Sequence, residues 1–425
     1  MARVQLSSAF GVLRLWFGLL HCNIMLDAVA FAIASIVCGD RLLGEPRRVQ
    51  ILHQQRKLNL ALQGGGAHGA FTWGVLDGLL EDTSFDFGWI SATSAGAVNA
   101  VAFASGLLDG GRDGARTKLN QVWTAVSGAG VPDLMRFNPF FRGLSRSAPM
   151  AQMASMWSPY DFNPLGFDPL RQLLNEHINF KALRERPGPE LLIAATDVAT
   201  GRARLFRRSE ITVDAVLASA CLPTLHHAVE IDGAAYWDGG FSANPDLVTL
   251  ASESPVSDTL LVKLNPQEKP GVPMGVREIG AHISRMAFNA PLVRDVELIE
   301  AMREASSGNW LSSKGPAQSV IKHRFHMIDA GAYTAELSDD SKMKPEAELL
   351  SHLRAAGRTE TQAWLSAHSK TVGKSATVDL AEQILGAKGR LPAKPGQSGR
   401  RTHVRASSRV SPAPAKSAAA GAKSS

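Results

Sequence analysis

The 425-residue sequence is poor in cysteine, with only Cys22, Cys38 and Cys221. An odd number at wide spacing suits neither a disulfide framework nor a zinc site, so buried thiols in a reducing compartment are expected. Long apolar runs are also missing. Residues 15–26 and 28–39 are each twelve residues without a charge, divided by Asp27, whereas a bilayer span takes roughly 20. Arg14 and the lack of a clean small-residue cleavage site count against a signal peptide. Residues 1–56 therefore read as an apolar, basic extension, poorly structured or membrane-associating; a targeting segment, or Met25 as the true start, are the alternatives. At the other end acids are absent. Residues 387–425 hold nine Lys or Arg and no carboxylate, in Ala, Ser and Pro without a core-forming pattern, and a disordered basic tail is expected.

These ends account for the formal net charge of +6: nine positive charges lie in 387–425 and a net four in 1–58, which leaves 59–386 at −7. The basic balance thus gives no reason to expect a specific nucleic-acid partner. The apolar content of 45% is enough for a real core. A cytoplasmic protein with peripheral membrane association is expected, and the oligomeric state is not legible.

From Lys57 the texture becomes regular. "KLNLALQ" is a short apolar run, glycines follow, and "AFTWGVLDGLLED" has helical spacing at Phe71, Val75, Leu76, Leu79 and Leu80. The same strand, turn, helix order returns with a strand over 87–92 and a helix over 95–107, which predicts a parallel sheet covered by helices. Residues 131–170 mix Met, Phe, Trp and Tyr with Pro and Ser, and read either as a loop completing the core or as an apolar cover over a site. Further on, 190–198 reads as a strand, 213–222 as a buried helix stopped by Pro223, 228–240 as a hairpin pivoting on Asp232-Gly233, and 259–266 as a strand. Helices are expected at 275–306, 343–356 and 359–386.

Three spots carry chemistry. Gly64, Gly66 and Gly69 fit the dinucleotide pattern G-x-G-x-x-G, which expects an acid at the end of the second strand. Glu81, Asp82 and Asp86 fall at or before that strand's start, and beyond it stands Ala92-Thr93-Ser94-Ala95-Gly96. A serine at a sharp strand-to-helix turn presents its hydroxyl near a helix N-terminus, which favours negative charge. The elbow pattern is G-x-S-x-G, and here Ala92 stands in for the first glycine. Asp238 ends a hairpin strand and precedes Gly239 and Gly240, which let the backbone turn tightly. "YDFNP" and "SDDSK" lack the ligand spacing of a calcium loop.

"LALQGGGAHGAFTWGVLDGL", "ISATSAGAVNA" and "ASACLPTLHHAVEIDGAAYWDGGFSANP", in this order, resemble the three blocks of the patatin-like phospholipase family over roughly residues 58–252. The resemblance implies an α/β fold, three-layer α/β/α with a mostly parallel sheet, and lipid acyl hydrolase activity. It makes Ser94 the nucleophile, Asp238 its base, and Gly64, Gly65, Gly66 and Ala67 the oxyanion hole. His68, Gly69, Ala92, Gly96, Gly239 and Gly240 support these motifs. No metal and no cofactor are implied, and the partner is a lipid or other ester at an apolar surface. His68 stands where the family commonly has Arg or Lys, and Ala92 where it has Gly. Residues 57–252 would be the catalytic core and 253–386 the strand and helices that complete it. The alternatives are a catalytically weak lipid-binding scaffold and a dinucleotide-binding oxidoreductase.

Overall fold

The structure, a computed structural model, describes residues 55–129, 158–268, 271–306, 315–337 and 339–386. The expected N-terminal extension, the basic tail and most of the Met- and aromatic-rich stretch lie outside them. Strand β1 (Arg56–Leu62) is buried from Leu58 onward, as a central parallel strand covered on both faces must be. It pairs with β2 (Phe85–Thr93) and with β7 (Asp258–Lys263), both parallel. The sheet order is β5-β6-β3-β2-β1-β7-β8, with β3 at Leu191–Asp197, β5 at Val229–Ile231, β6 at Ala234–Asp238 and β8 at Arg324–Asp329. β4 (Ala203–Arg207) pairs antiparallel with β3 off this path. The all-parallel run β3-β2-β1-β7-β8 carries antiparallel strands at one end, the mixed sheet expected of this α/β class.

Successive strand side chains point to opposite faces, and the core divides accordingly. Leu60 and Leu62 of β1, Leu191 and Ile193 of β3, and Leu260 and Val262 of β7 belong to one apolar cluster; Ala61, Leu192 and Leu261 belong to the other. The first face is covered by α1 (Gly69–Glu81) and α2 (Ala95–Ala129), and the second by α4 (Leu247–Glu253) and α5 (Val276–Ser306). Helix α3 (Val213–Ser219) and helix α6 (Ala347–His368) also pack on the first face.

Several element boundaries differ from the sequence reading. Helix α2 runs past Leu107 to Ala129, broken only at Gly110 and Gly111, where Gly111 takes φ 61°. Helix α3 ends at Ser219, before Pro223. The helices expected at 343–356 and 359–386 are largely one helix, α6, running through Gly357, with only a short helical turn later at Ala381–Leu385. Gly357 does not break α6; it lets α1 approach, since a Cβ there would lie 2.1 Å from the Phe71 carbonyl. Of the Met- and aromatic-rich stretch, Tyr160 and Phe167 are exposed, so these two do not complete the core.

Candidate active site

Strand β2 passes into α2 through Ser94, which takes φ 54°. A serine held in that region stores strain of about 1–3 kcal/mol, so its surroundings must over-determine it. They do: the Ser94 carbonyl accepts from Ala97 N (2.8 Å) and Val98 N (3.1 Å), opening α2, and its own N–H donates to Ser219 Oγ at 2.9 Å. Gly96 is required because a Cβ there would stand 2.3 Å from the Leu62 carbonyl. Ala92 is fully buried in the apolar cluster, so the fold accommodates its methyl group.

The register of β3 brings Asp238 to this turn. Thr93 pairs with Ala194, and Asp238 pairs with the next residue, Ala195. Because β4 takes the other edge of Ala195 and Thr196, β6 must follow the edge that β2 leaves at its end. The glycines after Asp238 serve close approach: a Cβ on Gly239 would lie 2.1 Å from the Ala194 carbonyl, and one on Gly240 2.3 Å from the Phe288 ring. Thr196 Oγ1 donates to the Asp238 carbonyl at 2.8 Å and fixes the corner.

Asp238 is completely buried, and Gly240 N donates to its Oδ1 at 2.7 Å. Burial pushes its carboxyl up to about 7, against the opposing pull of the Gly240 amide and the Ser94 hydroxyl. Oδ2 is buried without a hydrogen-bond partner among the described residues, and the neighbouring Ser94 hydroxyl acts to lower the pKa of the carboxyl. A carboxyl poised near neutrality beside a hydroxyl has the properties of a general base.

The glycine turn follows β1 directly. Gly64 is buried and its N–H donates to Asn244 Oδ1 at 2.8 Å, so this amide, expected as an oxyanion donor, is already engaged. The short 3-10 turn Gly66–His68 begins its own bonding with His68 N to Gly65 O at 3.2 Å. Among the described residues the N–H groups of Gly65, Gly66 and Ala67, which precede that bond, donate to no partner. Gly66 takes φ 57°, and a Cβ on it would meet the Lys342 carbonyl at 2.3 Å. The room this glycine leaves is filled by the chain's own backbone, not kept for a pyrophosphate. A Cβ on Gly69 would come within 2.8 Å of Ala95 Cβ, so this glycine lets α1 and α2 start side by side.

His68 is buried and turned to the C-terminal part of the chain, with Nε2 2.7 Å from Ser341 Oγ. It tethers residues 339–343 over the glycine turn. Cys221 is buried and its thiol is pushed up to about 12, chiefly by burial, which makes it inert. With Asp168, Leu217, His226 and His227 it lines a cavity of about 220 Å³ behind the Asp238 loop, where Cys221 O accepts from Asp238 N at 2.8 Å. Burial lowers the pKa of His226. Among the described residues no cluster of three or more His, Cys, Asp or Glu could hold a metal ion.

Sequence reasoning missed Ser219, Asn265 and Lys342. Asn244 and Asn265 each precede a proline, and both bond Gly64, the first at its N–H and the second at its carbonyl, at 3.2 Å. Two Asn-Pro dipeptides, one just after β7 and one a few residues beyond β6, were the available signal.

A buried carboxyl, a serine on a strained strand-to-helix turn and open backbone amides on an α/β sheet define a hydrolase-type site. The family model described as patatin-like phospholipase matches residues 60–251, so this part of the chain is similar to patatin-like phospholipases. No curated protein matches the sequence. Among solved structures, VipD from Legionella pneumophila is similar at 13% identity and a TM-score of 0.33, over 77% of this chain and 73% of VipD. The ExoU-SpcU complex of the type III secretion system of Pseudomonas aeruginosa is similar at 16% identity and a TM-score of 0.28, over 73% of this chain and 53% of that one. Neither likeness is strong enough to carry a functional inference.

Proposed function

We propose that the protein is a serine lipid acyl hydrolase in which Ser94 and Asp238 act as a dyad through an acyl-enzyme. The observation that carries this reading is the buried Asp238 carboxyl, pushed up to about 7 and coupled to the hydroxyl of a serine at φ 54°. Ser94 Oγ attacks the ester carbonyl carbon while its proton passes to Asp238. The oxygen becomes an oxyanion held by the N–H groups of Gly65, Gly66 and Ala67, with the start of α2 contributing positive potential at Ser94. Collapse expels the alcohol, which takes the proton from Asp238. Water then attacks the acyl-enzyme, gives a proton to the same carboxylate, and the acid leaves as Ser94 recovers its proton.

The substrate would be met at a lipid surface. Val272, Met274, Val276, Ile279, Ile283 and Met286, just before and along the first half of α5, are all exposed. They lead to Phe288, which packs against Gly240 and pairs edge-on with Phe241 at 4.8 Å, beside Asp238. A net charge of −7 over residues 59–386 favours attachment by apolar contact over attraction to anionic headgroups. Among the described residues no helix is long and apolar enough to cross a membrane.

The test is a panel of phosphatidylcholine, lysophospholipid, triacylglycerol and a short soluble ester, run on wild type, Ser94→Ala and Asp238→Asn. Hydrolysis lost in both variants with unchanged folding is the expected result. Activity surviving both overturns the dyad, and a wild type inert on every ester favours the lipid-binding scaffold.

A further inference from the structure

We propose that Asn265 and Lys342, both outside residues 60–251, are positioning residues that aim the Gly65 N–H at the oxyanion. This rests on the catalytic reading of Ser94 and the glycine turn. The Gly64-Gly65 peptide is a planar unit in which the Gly64 carbonyl and the Gly65 N–H point in opposite directions. A peptide between two glycines turns over easily, because neither residue has a Cβ to resist it. Turned the wrong way, it would aim a carbonyl oxygen at the developing negative charge. Something must hold it, and Asn265 Nδ2 donates to the Gly64 carbonyl at 3.2 Å.

Asn265 is itself fixed. It is 1% exposed, and its backbone N–H donates to Gln63 Oε1 at 2.9 Å. Lys342 Nζ donates to its Oδ1 at 2.6 Å. An ammonium group can only donate, so the oxygen of the Asn265 amide must face Lys342 and the NH₂ must face Gly64. The orientation of the amide is thus dictated by the lysine. Lys342 is kept at the turn by the close approach of its carbonyl to Gly66 and by the neighbouring contact of Ser341 Oγ with His68, 2.7 Å away.

The result is a chain of donors running from Lys342 to Asn265, to the Gly64 carbonyl and, through the peptide, to the Gly65 N–H. Each bond polarises the next in the same sense, so the cation strengthens the last donor without touching the substrate. Position 68 is His and not Arg or Lys, and in this arrangement Lys342 brings a fixed positive charge from about 270 residues away in sequence.

The test uses the full-length protein with a soluble chromogenic ester and a trifluoromethyl ketone, which forms a tetrahedral oxyanion adduct on a serine. Asn265→Asp replaces the donor facing Gly64 by an acceptor and should lower kcat by about 10²-fold, the loss typical of one oxyanion donor, with KM nearly unchanged. Lys342→Met should lower kcat in the same direction, and Lys342→Arg should restore most of it. Affinity for the trifluoromethyl ketone should fall in parallel with kcat, which a purely structural role would not produce. The relay is overturned if Ser94→Ala is inactive while folded Asn265→Asp and Lys342→Met keep wild-type kcat and ketone affinity. If Ser94→Ala retains full activity, the catalytic reading itself falls. Should Lys342→Met fail to fold, Asn265→Asp, of nearly unchanged shape, decides alone.

Discussion

Gly64 leaves no room for a side chain beside Ser94: a Cβ on it would stand 2.9 Å from Ser94 Cβ and 3.0 Å from the Thr93 carbonyl. The absence of a side chain at Gly64 is therefore what allows the glycine turn and the serine turn to share one space. Gly64→Ala must push the two apart, and displacements of about 1 Å in a catalytic arrangement commonly cost about 10²-fold. The expected outcome is a kcat on a soluble ester reduced by roughly that factor, with folding retained by circular dichroism. A variant with wild-type kcat would mean that the two turns do not act together.

Asp238 makes two opposite demands on pH. As a base it must be ionised, so kcat/KM on a soluble ester should rise with pH and level off above about 7. For stability the sign is reversed. Its carboxyl lies at about 7 in the fold against an ordinary 3.8, so the native state holds the proton more tightly than the unfolded chain. Stability from this group is then greatest below pH 4 and is lost as pH rises toward 7, by roughly 4 kcal/mol for a shift of this size. Asp238→Asn removes the ionisable group. Urea unfolding should find the variant close to wild type at pH 4 and more stable than wild type at pH 8, although inactive.

What the sequence made legible was local. The strand, glycine turn and helix at 56–81 follow from apolar spacing, and the hairpin at Asp232-Gly233 follows from a dipeptide suited to positive φ, found at 52° and 80°. The serine and aspartate emerge from motif order. The partners of these motifs do not, because they are joined by pairs far apart in the chain. Asn265 reaches Gly64 and Ser219 reaches Ser94 only once β7 and α3 are in place. Gly357 illustrates the opposite failure: a residue that weakens helices locally is kept inside α6 because Phe71 of α1 needs the space.

Asp77 ties the C-terminal part of the chain to α1. It is buried in α1 and accepts from Arg116 Nε at 2.7 Å, Arg354 Nη2 at 3.0 Å and Arg358 Nη1 at 2.5 Å. Burial alone would raise its pKa, but the three arginines outweigh it and hold the carboxyl below its ordinary value. A depressed pKa contributes stability above the unfolded value and loses it as pH falls through the acid range. Asp77→Asn should destabilise the protein by about 3 kcal/mol at neutral pH, the low end for a broken buried pair because the arginines remain partly exposed. The difference from wild type should shrink below pH 4, measured by urea unfolding across pH.

The exposed apolar side chains of α5 separate reaching a lipid surface from performing the chemistry. Ile283 and Met286 are 61% and 59% exposed, so charged replacements there need not disturb the core. Ile283→Glu combined with Met286→Glu should reduce flotation with phosphatidylcholine vesicles, and hydrolysis of lipid in those vesicles, by at least about 10-fold, since two buried apolar side chains contribute roughly 1.5 kcal/mol or more each. Hydrolysis of a short soluble ester should stay at the wild-type rate. Binding should also change little between low salt and 0.5 M salt, because contact between apolar groups is not screened as charge attraction is. If the double variant floats with vesicles as wild type does, or if salt releases the wild-type protein, the surface is held by charge and α5 is not the face that meets the lipid.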